Sequence, residues 1–206
     1  MWERILAVGA HPDDIEFGCG GALLCHAAQG ASITLVVVSD GSRGGDAVSR
    51  AAEQERAAEL LGAKVVMLGL PDGQLGPVQH VAGLLEAEMA HAAPDLVYTH
   101  LPEDTHQDHI TTHQATRIAT RRHANVLLYE SPRSALLSSG IAVNISVVMA
   151  QKLALLSAHT SQIREGTELD AESVRARALV HGRRFGCGFA EIFTPLRFAL
   201  PFAAAR

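Results

Sequence analysis

Ile5-Leu6-Ala7-Val8-Gly9-Ala10-His11-Pro12-Asp13-Asp14 is the stretch on which the reading of this chain turns. Four consecutive apolar residues ending at a glycine suit a short strand buried on both faces, the kind found inside parallel sheets. The tetrapeptide that follows puts one imidazole and two carboxylates just beyond the end of that strand. A second segment repeats the association. Residues 96–99 form another buried-strand pattern, and His106-Gln107-Asp108-His109 begins seven residues past it.

Outward from these two anchors the pattern is regular. Residues 33–38, 65–68 and 126–129 read as further strands, and residues 20–29, 47–61, 78–91 and 108–122 as helices between them. Strand and helix alternating in this way predict βαβ units and an α/β fold with a mostly parallel sheet. Beyond Ser131 the pattern loosens into a loop over residues 131–140, followed by helices over residues 148–158 and 171–180. No linker, repeat or low-complexity tract interrupts the chain, so residues 1–206 read as a single domain. Open α/β sheets bind ligands beyond the carboxyl ends of their strands. Both motifs fall at that edge, which makes them one site.

Composition excludes several classes. Of 206 residues 48% are hydrophobic and 19% charged, which fits a globular chain rather than a disordered one. The net charge is −5, and no basic stripe with interleaved aromatics marks a nucleic-acid partner. No apolar run is long enough for a membrane span. Cys19, Cys25 and Cys187 are an odd number without a CxxC pair, which suits a reducing compartment. The expectation is a cytoplasmic protein. Gly18-Cys19-Gly20-Gly21 is a poor phosphate cradle, lacking the dinucleotide and P-loop patterns. Its glycines read as sites of close helix–strand packing.

The residue types suggest metal-assisted hydrolysis. A catalytic zinc site uses three His or carboxylate ligands and keeps a position for water. His11 and Asp14 can converge on one ion, and His109 or His106 can supply a third ligand. Asp13, beside a ligand but itself free, suits a general base. The remaining imidazole can stabilise an oxyanion, and Asp108 can hold its other nitrogen and so set its tautomer. The plainer reading of His-Pro-Asp-Asp is a helix start with acids at its N-terminus. Arg50 reads either as a solvated helix residue or as a cation aimed at the site. His113 has ligand spacing but suits an ordinary helix position.

AHPDDIEFGCGG, RAAEQERAAELLG, PDLVYTHLPEDTHQDH, AHTSQ and FAEIF, in this order from residue 10 to residue 193, resemble the PIG-L/LmbE-like deacetylases. The resemblance implies a Rossmann-like three-layer fold and removal of an N-acyl group, typically acetyl from an N-acetylglucosamine moiety, with a divalent metal that is usually Zn2+. It implies His11, Asp14 and His109 as metal ligands, Asp13 as general base, and His106 as oxyanion stabiliser with Asp108 orienting it. It further implies that Arg50 faces a small-molecule amino-sugar substrate, that Asp104 shapes the loop opening the second motif, and that Glu16, His159, Ser161 and Gln162 support the site. Relatives often assemble, which makes a homo-oligomer one expectation. Two departures stand out: Ile15 separates Asp14 from Glu16 where many relatives read HPDDE, and Asn144 stands where many carry Asp. The alternative readings are a non-catalytic metal- or sugar-binding protein on the same fold and, more weakly, a nucleotide binder using the Gly-rich turn.

Overall fold

In the computed structural model, which describes residues 2–134 and 136–199, one seven-stranded sheet runs in the order β3-β2-β1-β4-β5-β7-β6. The strands are β1 (Arg4–Gly9), β2 (Ser32–Ser39), β3 (Lys64–Leu70), β4 (Leu96–His100), β5 (Val126–Tyr129), β6 (Ile141–Asn144) and β7 (Ala190–Arg197). β3-β2-β1-β4-β5 is parallel throughout, as the strand–helix alternation requires. β7 pairs antiparallel with both β5 and β6. These last two strands escape the sequence pattern, because neither belongs to a βαβ unit and β6 is a short edge strand.

The helices are α1 (Asp14–Ala27), α2 (Ala47–Leu61), α3 (Val78–Ala92), α4 (Gln107–Ala119), α5 (Met149–Ser157) and α6 (Ala171–Arg184). Side chains alternate across a strand, and β1 uses both faces. Ile5 and Ala7 pack with Ile15, Leu23 and Leu61 from α1 and α2, whereas Leu6 and Val8 pack with Val81, Leu85 and Ala115 from α3 and α4. The result is the three-layer architecture. The chain winds outward from β1 to β2 and β3, then returns to β4 on the other side of β1. The carboxyl ends of β1 and β4 therefore flank a topological switch point, the position where such sheets leave a crevice.

α1 starts at Asp14 rather than at residue 20, so the second motif aspartate is the first residue of a helix. In the middle of α1 a buried ion pair joins the backbone. Lys152 of α5 donates to the carbonyls of Glu16 and Phe17 and to the Glu191 carboxylate. Glu191 of β7 accepts from the N–H groups of Gly21 (2.8 Å) and Ala22 (2.7 Å). Phe17 and Gly21 are the partners of one helical turn, so the pair engages both ends of a rung of the helix. The glycines allow it: a Cβ at Gly21 would lie 2.9 Å from Glu191 Oε1, and one at Gly18 would run into the Tyr129 ring. Removing the cation leaves a buried carboxylate without its partner. Lys152→Met should therefore cost on the order of 3–5 kcal/mol, read as a lower midpoint of urea denaturation. A loss under about 1 kcal/mol would show that the pair does not hold α1, α5 and β7 together.

Candidate metal centre and active site

β1 ends at Gly9, the chain turns through His11 and Pro12, and α1 begins at once. His11 N–H donates to Asp14 Oδ2 at 2.7 Å, which closes that turn. On the other side of the switch point β4 ends at His100, and α4 begins with His106 as its N-cap. The His106 ring supplies the cap: its Nδ1 accepts the Asp108 N–H at 3.2 Å. The two turns face one another, and their side chains interlock.

Asp14 lies between two imidazoles. Its Oδ2 is 3.3 Å from Nδ1 of His11, and its Oδ1 is 3.2 Å from Nε2 of His109. Each ring is held from behind by further carboxylates. His11 Nε2 meets Asp108 at 3.2 Å and Asp72 at 3.3 Å, and His109 Nδ1 meets Asp104 at 2.9 Å. Asp104 also accepts the His106 N–H at 2.8 Å and the Ser131 hydroxyl. All of these side chains except that of His106 are largely withdrawn from solvent.

So much buried negative charge needs compensation. Burial disfavours charge on His109, but Asp14 and Asp104 outweigh it and push its pKa up to about 9. Burial likewise opposes charge on His11, and Asp108, Asp14 and Asp72 raise it well above the usual value. Asp14 responds in the opposite direction: burial raises it, but His109 and His100 hold it well below the ordinary carboxylate range. Without a metal, both rings therefore carry a proton on the nitrogen that faces Asp14. A carboxylate on the far nitrogen of each ring is the support that ligating histidines ordinarily have.

Ligand atoms of His11, His106 and His109 all lie within 4.8 Å of one another, as do those of Asp14, His100 and His109. Two of these rings are already engaged. His100 Nε2 accepts the Ala10 N–H at 3.0 Å, and burial, followed by His109, lowers its pKa to about 4. His106 Nδ1 accepts from the backbone, which leaves its proton on Nε2. Burial and the charges of His11 and His109 lower the His106 pKa, so this ring stays a neutral N–H donor.

Asp13 adopts φ 108°, a conformation that side chains other than glycine rarely take, and caps no helix N–H. Its Oδ2 accepts from Arg50 Nη2 at 3.1 Å. Arg50 also donates to the carbonyls of Pro12 (2.6 Å) and Gly41 (2.9 Å). Burial and the neighbouring Asp14 raise the Asp13 pKa to about 6, although Arg50 works against them. A cleft of about 770 Å³ opens over this constellation, lined by His11, Asp13, Asp14, His106 and His109 among others.

His11, Asp13, Asp14, His106, Asp108 and His109 thus share one site, as the placement of the two motifs predicts. Two details differ from expectation. The Asp108 carboxylate serves His11 and the Gly73 N–H (2.7 Å), and only its backbone meets His106. The reason is local: an N-cap ring accepts a backbone N–H, and the Asp108 side chain then points to the other wall. Arg50 borders the cleft, yet its hydrogen bonds go to the protein's own turn rather than outward. His113 faces away, with Nδ1 on the His100 carbonyl at 2.8 Å.

Asp72 and His100 carry no motif signal. Asp72 sits in a Pro-Asp-Gly turn after β3, and its position beside His11 exists only once β3 is placed in the sheet. Glu16 meets Gln54 at 2.7 Å and lies 3.3 Å from His159, while Ile15 is fully buried in the core. Asn144 is exposed and accepts from Ser146, away from the cleft.

The molecule is a three-layer α/β protein with a seven-stranded sheet and, at its switch point, a His/Asp cluster that could hold a metal ion. The sequence pattern of the PIG-L family, GlcNAc-PI de-N-acetylase, matches residues 6–120, and the chain belongs to this family. It is 36% identical over 136 residues to the uncharacterized deacetylase YaiS of Escherichia coli strain K12, covering 62% of this chain and 74% of that one. It is 27% identical to the diacetylchitobiose deacetylase of Thermococcus kodakarensis, over 92% of this chain and 81% of that protein. Among solved structures, the conserved protein TT1542 of Thermus thermophilus superposes with a TM-score of 0.85 and 26% identity, covering 98% and 100% of the two chains. The 4-carboxy-2-hydroxymuconate hydratase GalB of Pseudomonas putida KT2440 superposes with a TM-score of 0.80 at 22% identity, over 98% and 100%. The deacetylase relatives support an enzyme of the hydrolase class. The hydratase shares the fold, so the reaction has to be argued from the site.

Two outcomes test the charge balance. Asp104→Asn and Asp108→Asn should each weaken divalent-metal binding by about 10–100-fold, measured by competition with a chromogenic chelator. The metal-free protein should lose stability as pH rises from about 6.5 to about 9. The folded-state pKa of His109 is raised, so its contribution is complete below the unfolded value and disappears through the folded one. Thermal melts of chelator-treated protein across that range check the sign.

Proposed function

We propose that this protein is a metal-dependent N-deacetylase that hydrolyses the acetamide of an N-acetylglucosamine-type sugar or conjugate. The single observation carrying the reading is the pair of imidazoles whose inner nitrogens flank Asp14 while carboxylates hold the outer ones, with Asp13 beside them. The deacetylase relatives favour amide hydrolysis over the hydratase's reaction. We read residues 1–206 as one deacetylase domain, supported by a single sheet that extends from β1 to β7. Among the described residues no helix is long and apolar enough to cross a membrane.

The donor set fits a divalent ion: Nδ1 of His11, the Asp14 carboxylate and Nε2 of His109 would hold it, and Zn2+ suits such ligands. When bound, it supplies Lewis acidity towards the acetamide carbonyl and lowers the pKa of water. Asp13, beside Asp14 and lining the cleft, would take the proton of the attacking water. In the metal-free protein burial and Asp14 raise its pKa to about 6, towards the range in which a general base is most effective. His106 presents a neutral Nε2–H to the oxygen on which charge develops. The proton held by Asp13 then passes to the departing nitrogen. The net reaction adds water to the amide and yields acetate and a free amine.

The decisive experiment measures acetate released from N-acetylglucosamine and its simple glycosides by chelator-treated protein, with and without added Zn2+. Release should depend on the metal. Asp13→Asn should keep the metal and lose about 10²–10⁴-fold in kcat, whereas His11→Ala should lose the metal. Full activity in Asp13→Asn would remove the base assignment. Silence across a broad acetamide panel with metal bound would favour a sugar- or metal-binding protein instead. Because the base works as the carboxylate, kcat/KM should fall as pH drops through the Asp13 pKa, which a divalent ion beside it would hold below the metal-free value of about 6. An acid limb that persists in Asp13→Asn would belong to another group.

A further inference from the structure

His100 closes β4 at the edge of the cluster and takes no part in the hydrolysis described above. It is fully buried and does not line the cleft. Its surroundings are nonetheless specific on every side. Its Nε2 accepts the Ala10 N–H at 3.0 Å, which ties β4 to the turn carrying His11. Its ring stacks on that of His109, with 4.2 Å between centroids and 13° between planes. His106 stacks on His109 in turn, at 4.6 Å and 23°. The three rings form a column with His109 in the middle and His106 at the cleft. Tyr129, paired with His100 in the adjacent strand, backs the base of the column at 4.8 Å and donates from its hydroxyl to the Val8 carbonyl at 2.7 Å. The His100 carbonyl accepts from Nδ1 of His113, which joins the same residue to α4.

One detail separates this ring from an ordinary packing residue. Because Nε2 accepts, the proton of the neutral imidazole sits on Nδ1. That nitrogen is buried without a partner among the described residues. A buried polar group left unpaired is destabilising, and an apolar side chain of similar shape would avoid the loss. What only the imidazole offers is an acceptor for Ala10 together with a flat face for His109. Resting on the metal-dependent deacetylase reading, we propose that His100 is a positioning residue. Its Nε2 sets the turn of His11 and its face sets the ring of His109, so both imidazoles keep their spacing around Asp14, and His106 its aim, before an ion arrives. A donor set held in advance binds more tightly than one that must be ordered.

Two substitutions separate the two contacts. His100→Gln puts a carbonyl oxygen where Nε2 lies, which keeps an acceptor for Ala10 and removes the ring. His100→Phe keeps a stacking ring and removes the acceptor. Each should weaken Zn2+ binding by about 10–100-fold in competition with a chromogenic chelator. In each, the visible absorption bands of the Co2+-substituted protein should change, and kcat at saturating metal should fall with KM nearly unchanged, because substrate does not reach His100. Met89→Ala truncates the core in α3 at the opposite edge of the sheet, and should lower the denaturation midpoint while leaving these readouts as in the wild type. Wild-type affinity and Co2+ spectrum in both His100 variants, or an equal loss in Met89→Ala, overturns the proposal. Should His100→Phe fail to fold, His100→Gln alone must show the loss. Affinity and spectrum need no substrate, so they decide the role even where no acetate is released. If the wild type binds neither ion, the metal-dependent reading fails separately, and amide hydrogen exchange in the metal-free protein decides. Exchange at Ala10 should then quicken by about tenfold or more in His100→Phe, and exchange at Asp108, whose N–H rests on the far ring of the column, in His100→Gln. Wild-type rates at both amides refute the role.

Discussion

The buried carboxylate of Asp14 is the constraint from which the rest of the site follows. An ionised carboxylate removed from water is costly unless positive charge or hydrogen bonds meet it. Here His11 and His109 meet one oxygen each, and the His11 N–H closes the turn onto the same group. Those imidazoles are buried as well, so each needs its own partner, and Asp104, Asp72 and Asp108 supply them. The cluster then holds an excess of negative charge that two imidazolium protons or a divalent ion would offset in part. The same arrangement that could hold a divalent cation makes the metal-free state dependent on two imidazolium protons.

That cluster also explains where strain is tolerated. Asp13 takes a left-handed conformation because Arg50 grips its carboxylate and the Pro12 carbonyl together. A residue so held persists only when its surroundings over-determine it, which is characteristic of reacting groups. The buried pair Lys152–Glu191 plays a parallel part farther along α1. It ties the helix that begins with Asp14 to α5 and to β7, so that the terminal strand steadies the first turn of the site. Binding geometry near β1 therefore depends on residues more than a hundred positions away.

Much of this was legible in the chain itself. Apolar runs at β1, β2, β4 and β5 are short and continuous because both faces of those strands are covered, and that pattern requires no knowledge of the partners. The two His/Asp motifs announce themselves because each concentrates imidazoles and carboxylates within four residues. β6 and β7 did not announce themselves, since an antiparallel edge added after the last crossover follows no βαβ rhythm. The start of α1 is hidden because Asp14 and Glu16 alternate with Ile15 and Phe17 in its first turn and Gly18, Gly20 and Gly21, poor helix formers, follow.

What the sequence by itself determined is the class of fold and the chemical inventory: a parallel sheet, its carboxyl edge, and His11, Asp13, Asp14, His106, Asp108 and His109 brought to one place. Strand periodicity and residue chemistry are local properties, readable without folding the chain. Only the tertiary structure decided which partner each group has. It set Asp108 behind His11 instead of His106, brought Asp72 and His100 into the cluster, and turned Arg50 inward. Those pairings depend on distances between loops that follow different strands, and strand order in the sheet, which no local pattern encodes, sets those distances.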